Sequence, residues 1–135
     1  MDPHSPPYAL ATVMRAAFEE ADRRTREALQ AEGFGVISEI DVAATLKKKI
    51  GVDMPPYEIL GACAPSLAHR AIQAEPDIGL LLPCNVVVRS TDDGTVVEAL
   101  DPVVQLSISD NRELVPLAAE VRARMERVIA KLAEI

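Results

Sequence analysis

The amino-acid sequence predicts an α+β fold, a single domain over residues 8–135 with a mainly antiparallel sheet of four or five strands and helices packed on one face. Three observations support this prediction. Segments in which apolar residues alternate are interspersed with segments of helical period. The pair Asp93-Gly94 stands between two β-branched runs, which is typical of a β-hairpin. With 135 residues, the chain is long enough to bury one core without disulfides.

The first part of the chain predicts two pairs of a strand and a helix behind a short tail. Residues 1–7 contain three prolines and predict a mobile segment, and residues 8–14 suit a strand. A helical period runs from Phe18 to a stop at Gly33, and residues 34–40 alternate as a strand does. Asp41 is placed to cap a short helix. We expect the apolar side chains of that helix to face inward, namely Val42, Leu46 and Ile50.

The centre of the chain holds both cysteines. Residues 57–63 alternate as a strand whose last residue is Cys63, and Pro65 suits the first turn of the helix that follows. The run LLLPCNVVV at residues 80–88 is apolar and β-branched, which predicts a buried strand. On that strand, Cys84 shares a face with Val86 and Val88.

The last part of the chain predicts the returning hairpin strand and a long helix. Residues 95–101 form that strand, and residues 103–108 are apolar enough to continue across the core. A final helix starts near Asp110, with Pro116 in its first turn. Its core stripe consists of five residues at helical spacing, Leu117, Val121, Met125, Val128 and Leu132.

Charge and composition exclude several classes of function. The formal net charge of −7 gives a nucleic acid no basic surface to bind. No apolar run approaches the ~20 residues of a membrane helix, so we expect no membrane partner. Two cysteines in an acidic chain without an apolar leader predict a cytoplasmic protein with free thiols.

Cys63 is the residue with the most specific chemical position, because it directly precedes a predicted helix N-terminus. The helix dipole stabilises a thiolate there by about 0.3–1 kcal/mol, which is less than one pKa unit. A reactive thiol at Cys63 therefore needs a second partner. His69, the lysines 47–49 and Asp41 are candidates for this partner. Their distance from Cys63 along the sequence does not require any of them to lie beside it.

Three interpretations of Cys63 and Cys84 follow. Both are buried free thiols that behave as small hydrophobic side chains. Alternatively, they are a redox or sulfur-relay pair, with Cys63 as nucleophile and Cys84 as resolving thiol. In the third interpretation they bind a soft metal ion, with His69 as a third ligand. The sequence contains no G-x-S-x-G, P-loop or G-x-G-x-x-G motif, and it identifies no cofactor.

The sequence resembles the DUF302 family of bacterial and archaeal domains over nearly its whole length. The stretches that carry the resemblance are GFGVISEIDVAATLKKKIGV, YEILGACAPSLAHRAIQAEPDIGLLLPCNVVV and DGTVVEALDP. The resemblance implies an α+β domain with a TATA-binding-protein-like arrangement and a homodimer, and it implies no reaction. Where the family pattern reads G-A-C-N-P, this chain has Ala64 in place of Asn. Any role that the Asn side-chain amide has in the family therefore cannot be assigned to Ala64 in this chain.

These observations predict a non-catalytic module that binds a small molecule or a protein, and the alternative is a thiol-based redox, sulfur-relay or soft-metal-binding protein. The binding site is predicted between the turn at 61–65 and the segment 82–85. Its residues are Gly61, Cys63, Ala64, Pro65, Pro83, Cys84 and Asn85. The lysines 47–49 are a further candidate for anion binding, although cations at a helix C-terminus are usually solvated.

Overall fold

The structure, a computed structural model, describes residues 5–134 and confirms the predicted α+β class. Five strands form one sheet in the order β1-β5-β4-β3-β2, and every neighbouring pair is antiparallel. Residues 1–4 of the predicted mobile tail lie outside the described residues. The elements are β1 (Ala9–Met14), α1 (Phe18–Ala31), β2 (Gly35–Asp41), α2 (Val42–Ile50), β3 (Tyr57–Cys63), α3 (Pro65–Ala74), a 3₁₀ helix (Pro76–Leu81), β4 (Cys84–Thr91), β5 (Gly94–Leu100), α4 (Pro102–Leu106) and α5 (Leu114–Ala133).

The core lies between one face of the sheet and the helices α1 and α5. Successive side chains of a strand point to opposite faces, and the register places Leu60 beside Val86 and Val88 beside Val97. All four side chains are fully buried. They belong to one cluster with residues of both helices, including Ala21, Leu29, Met125 and Leu132. The helical stripes that the sequence predicts for α1 and α5 therefore face this core.

The predicted hairpin connects β4 to β5 through Asp92 and Asp93. Thr91 and Gly94 are opposite each other in the register, and the Thr91 hydroxyl donates to the carbonyl oxygen of Gly94 over 3.0 Å. The backbone N–H of Asp93 donates back to the same hydroxyl over 3.2 Å. These two hydrogen bonds satisfy polar groups that a tight turn otherwise leaves to water.

Two segments predicted as strands are helical. The strand predicted from Leu80 starts at Cys84, because Pro76–Leu81 forms the 3₁₀ helix and Pro83 cannot donate to a sheet. Residues 103–108 do not continue across the core, since Pro102–Leu106 is the helix α4. Asp101 caps α4, and its Oδ1 accepts a hydrogen bond from Val103 N over 2.9 Å.

The inward stripe predicted for α2 is wrong. Asp41 does cap this helix, with Oδ1 accepting from Ala44 N over 2.9 Å. However, Val42 and Leu46 are only partly buried and Ile50 is 67% exposed. Among the described residues, α2 packs mainly against β2 and β3 at the edge of the sheet, and most of its side chains stay exposed. Within residues 5–134, no helix is long and apolar enough to cross a bilayer.

Candidate functional site

A cavity of about 270 Å³ lies where β3 and β4 meet the helices α3, α4 and α5. Apolar side chains dominate its wall. Among the described residues that line it, those with polar or thiol side chains are Cys63, Cys84 and Gln105. The lining residues are Phe34, Ile37, Ala62, Cys63, Ala64, Leu67, Ala68, Ala71, Ile72, Leu82, Pro83, Cys84, Pro102, Gln105, Leu106, Leu117 and Val121.

The two thiols reach the cavity from neighbouring strands. Cys84 is opposite Ala62 in the register, so its side chain lies on the core face of the sheet. Cys63 follows Ala62 and ends β3, and Ala64 after it occupies the N-cap position of α3 without a side-chain capping hydrogen bond. Its side chain is partly exposed, whereas that of Cys84 is buried. The Cys84 thiol donates to the carbonyl oxygen of Leu100 over 3.4 Å.

The side chain of Gln105 connects α4 to the segment before β4 at the cavity. Its side-chain amide donates to the carbonyl oxygens of Leu81 and Pro83, the latter over 3.2 Å. The two acceptors orient the amide group, because only its nitrogen can donate. Its helix α4 is held in turn by Asp101, which caps it and accepts from Arg122 Nε over 3.0 Å. Capping and an ion pair thus position a buried amide at the cavity.

The site disfavours thiolates. Burial raises the pKa of the Cys63 thiol above its ordinary value. Burial, together with the negative charge of Asp101, raises the pKa of the Cys84 thiol to about 12. A thiolate is the nucleophilic form and the form that ligates a metal ion. At neutral pH both side chains are therefore neutral thiols, which is the opposite of what a sulfur relay needs.

We expect alkylation by iodoacetamide to follow these pKa directions. Cys63 should react with an apparent pKa above the ~8.5 of a free thiol, and Cys84 only once the protein unfolds. Mass spectrometry of the two cysteine peptides across a pH series measures both rates, and Cys63→Ser isolates the signal of Cys84. An apparent pKa of Cys63 below that of a free thiol would contradict the burial argument.

The seven predicted binding residues do not all reach the cavity. Cys63, Ala64, Pro83 and Cys84 line it. Gly61 is buried beside it, where a Cβ atom would lie 2.8 Å from Pro83 Cγ and would collide with the Ser38 hydroxyl. Pro65 is exposed, and Asn85 lines a neighbouring groove.

The predicted metal ligands are not brought together. His69 is exposed on α3 and does not line the cavity with the two thiols. Among residues 5–134, no group of three or more His, Cys, Asp or Glu side chains has an arrangement that holds a metal ion. Of the three lysines at the end of α2, Lys47 pairs with Asp53 over 2.8 Å, and both side chains are mostly exposed.

Gln105 and Leu106 are the site residues that sequence reasoning missed most clearly. Both belong to α4, and the apolar run at 103–108 is interpreted as a strand because apolar residues dominate it. A helix signal is present, because Asp101 followed by Pro102 is a cap residue followed by a favoured first residue. A helix that starts at Pro102 has residues 102, 105 and 106 on one side, and all three are buried in the structure.

Comparison with known proteins agrees with the resemblance in the sequence. A comparison with curated proteins finds no match. A solved structure described as an uncharacterized conserved protein DUF302 from Bacillus stearothermophilus is similar, with a TM-score of 0.86 and 26% sequence identity. The similarity covers 94% of this chain and 99% of that one. The family model described as domain of unknown function DUF302 matches residues 10–132. Since this match spans most of the sequence, the chain belongs to the DUF302 family.

Proposed function

We propose that this protein is a non-catalytic module that binds a compact, uncharged, mainly apolar small molecule in the cavity between α3, α4 and α5. The observation that carries the proposal is the cavity itself: its wall is mostly apolar, and a few fixed polar groups face it. That combination is the usual form of a small-molecule site. We place the protein in the cytoplasm, because both cysteines are free thiols.

The size of the cavity supports a small ligand. An apolar cavity of about 150 Å³ stays dry and takes up benzene. The cavity here measures about 270 Å³, so it has room for an aromatic ring with a short substituent, or for a branched alkyl group. Two of its lining side chains, Ile37 and Ile72, are 64% and 44% exposed, which places them at a mouth open to solvent.

The chemistry of the wall supports an uncharged ligand. Of the described residues that line the cavity, none carries a charged side chain. An ion transferred there loses its hydration and gains no partner, which is costly. Gln105 supplies a directional group, because both donors to the Leu81 and Pro83 carbonyls come from its nitrogen and leave its oxygen as an acceptor. A ligand with one hydroxyl or N–H group suits this arrangement.

The thiol-based alternative receives less support from the same residues. A sulfur relay needs an accessible thiol of lowered pKa, and burial raises the pKa of both cysteines. In the binding interpretation the thiols contribute weakly polar surface that packs against a ligand, and ionisation is not required.

Thermal unfolding with a panel of uncharged probes tests the proposal. We choose 1-hexanol, benzyl alcohol and indole, each with one donor on an apolar body. A probe at ten times its Kd raises the free energy of unfolding by about 1.4 kcal/mol, since it binds only the folded state. For a domain of this size, that corresponds to a Tm increase of about 3–6 °C.

A pair of variants assigns any effect to the cavity. Ala68→Phe fills it from α3, whereas Ala130→Phe adds the same ring to an exposed position of α5. The Tm increase should disappear in Ala68→Phe and persist in Ala130→Phe. If both variants respond as the unmodified protein does, the probes bind elsewhere and the proposed site is wrong. If no probe raises the Tm of the unmodified protein, the ligand class is wrong.

A further inference from the structure

A groove of about 580 Å³ adjoins the cavity of the proposed binding site. Leu82, Pro83 and Gln105 line both spaces, and we call these three residues the rim. Gln105 is buried, whereas Leu82 and Pro83 are partly exposed. The rim is therefore the place where the cavity meets the groove. A ligand that is too large for the cavity alone can extend over this rim into the groove.

The groove offers polar groups that the cavity lacks. Tyr8, Asn85 and Ser107 line it with two hydroxyl groups and an amide. The carbonyl oxygen of Tyr8 accepts from the backbone N–H of Asp101 over 2.7 Å, which ties Tyr8 to the start of α4. The Ser107 hydroxyl donates to the carbonyl oxygen of Val104 over 2.8 Å, so its own oxygen stays an acceptor. Hydroxyl and amide groups suit a ligand group that both donates and accepts hydrogen bonds.

The charge of the groove restricts this ligand group further. Among the described residues that line the groove, none carries a charged side chain. A phosphate or carboxylate there loses hydration without meeting a cation, and an ammonium group meets no anion, so both are costly to bind. The net charge of −7 adds repulsion for anions. The group that suits the groove is therefore uncharged and rich in hydroxyls.

The size of the cavity limits the apolar part of the ligand. An apolar cavity of about 150 Å³ takes up benzene, which has six carbon atoms. At the same density, the 270 Å³ of this cavity hold about ten carbon atoms. An unbranched alkyl chain of up to about that length fills the cavity and leaves its polar end at the rim. Each methylene group buried in this way raises the affinity by a factor of roughly four.

We propose that the ligand is a single-chain amphiphile, with an alkyl chain of about six to ten carbons in the cavity and an uncharged, hydroxyl-rich head in the groove. This inference rests on the proposed function, because the chain occupies the cavity assigned there. It adds a second subsite, in which Asn85 and Ser107 bind the head. Alkyl glycosides and monoesters of glycerol belong to this class of ligand.

Isothermal titration calorimetry of the full chain with three probes tests this inference. The probes 1-hexanol, hexyl glucoside and hexyl phosphate share one alkyl chain and differ in the head. Hexyl glucoside should bind about ten times more tightly than 1-hexanol, a gain that one or two neutral hydrogen bonds supply. Hexyl phosphate should bind at least about ten times more weakly than hexyl glucoside, because its charge meets no partner.

Two variants assign the chain and the head to their subsites. The double variant Asn85→Ala, Ser107→Ala should lower the affinity for hexyl glucoside to that for 1-hexanol and leave 1-hexanol binding unchanged. Both positions are exposed, so the variant should fold normally. Ala68→Phe fills the cavity and should abolish binding of both probes. The matched control, Gln30→Ala with Ser66→Ala, removes an amide and a hydroxyl from exposed positions of α1 and α3 and should change neither affinity.

The outcomes separate this inference from the proposed function. Equal affinities for hexyl glucoside and 1-hexanol, with both lost in Ala68→Phe, would overturn the head subsite and leave the cavity as the binding site. If 1-hexanol does not bind at all, both proposals fail. Tighter binding of hexyl glucoside that survives Asn85→Ala with Ser107→Ala would place the head outside the groove. An affinity for hexyl glucoside that falls as the protein concentration rises would show that a second copy occupies the groove, and would also contradict the inference.

Discussion

Replacing Gly94 with alanine is expected to lower the free energy of unfolding by about 2–4 kcal/mol. Gly94 has a φ angle of +131°, in a region that residues with a side chain rarely adopt. A Cβ atom there would also collide with the backbone carbonyl oxygen of Met14, at the end of the neighbouring edge strand. Backbone strain and the collision add up, because the carbonyl belongs to β1 and cannot rotate away.

Urea unfolding measures this effect, with Gly79→Ala as the control. Gly79 lies in the 3₁₀ helix, where an added Cβ atom meets nothing within 4 Å. We expect the control to change stability by less than about 0.5 kcal/mol, as surface substitutions usually do. Equal urea midpoints for the two variants would contradict the packing of β1 against the start of β5.

The second large effect concerns Glu58, whose carboxyl lies in a crowded cluster between α1 and the sheet. The guanidinium group of Arg26 forms ion pairs with three carboxylates. It pairs with Asp22 over 3.0 Å and with Glu58 over 3.7 Å, and it also pairs with Glu39. The distance to Glu58 is too long for a hydrogen bond, and Oε1 of Glu58 is buried without a partner. Burial is the main cause that raises the pKa of Glu58 from 4.5 to about 8, and the neighbouring carboxylate of Asp22 adds to the rise.

This raised pKa makes stability depend on pH in a definite direction. Below pH 4.5 the carboxyl is protonated in both the folded and the unfolded state, and its full contribution to stability is present. Between pH 4.5 and about 8 only the unfolded state releases the proton, so the free energy of unfolding falls as pH rises. The loss levels off above the folded pKa. At about 1.4 kcal/mol per pKa unit, the full rise corresponds to about 5 kcal/mol, and solvent screening of this partly exposed carboxyl lowers the expected loss to about 2–4 kcal/mol.

Glu58→Gln should remove this dependence, because glutamine is uncharged at every pH and has nearly the shape of the protonated acid. We expect the variant to gain stability over the unmodified protein between pH 5 and pH 9. Urea midpoints across that range measure the difference, with Glu27→Gln on the exposed face of α1 as the control. Parallel pH profiles for the unmodified protein and Glu58→Gln would rule out a protonated Glu58 at neutral pH.

Local patterns predict the fold well where a segment has one clear period. Ala21, Thr25 and Leu29 recur at helical spacing and are buried in α1. Asp93-Gly94 predicts the hairpin, because the position of Gly94 requires a positive φ angle that glycine adopts readily. The alternation of residues 57–63 also predicts that Cys63 ends a strand.

Prediction fails where a short apolar run fits both a strand and a helix. Leu80 to Leu82 and Val103 to Ile108 are such runs. The first is divided between a 3₁₀ helix and a loop by Pro76 and Pro83, and the second is turned into α4 by the cap at Asp101. Helical period also indicates which side of α2 is apolar, but it does not indicate whether anything packs there.

The candidate site is predictable only in part, for a related reason. Cys63, Ala64, Pro83 and Cys84 lie at the adjoining ends of β3 and β4, so the two strands bring them into one region. Gln105, Leu117 and Val121 come from elements more than twenty residues further along the chain. Their place in the wall depends on how α4 and α5 pack against α3, which single-segment patterns do not contain.

The most direct test of the binding site is a methyl NMR titration with 1-hexanol. Alanine methyl groups mark the wall at Ala62, Ala64, Ala68 and Ala71, and Ala130 reports on the outer surface. If the cavity is the site, the four wall methyl signals shift together along one saturating curve while the signal of Ala130 stays in place. If the wall signals do not shift at concentrations that move exposed methyl groups elsewhere, the cavity does not bind apolar molecules.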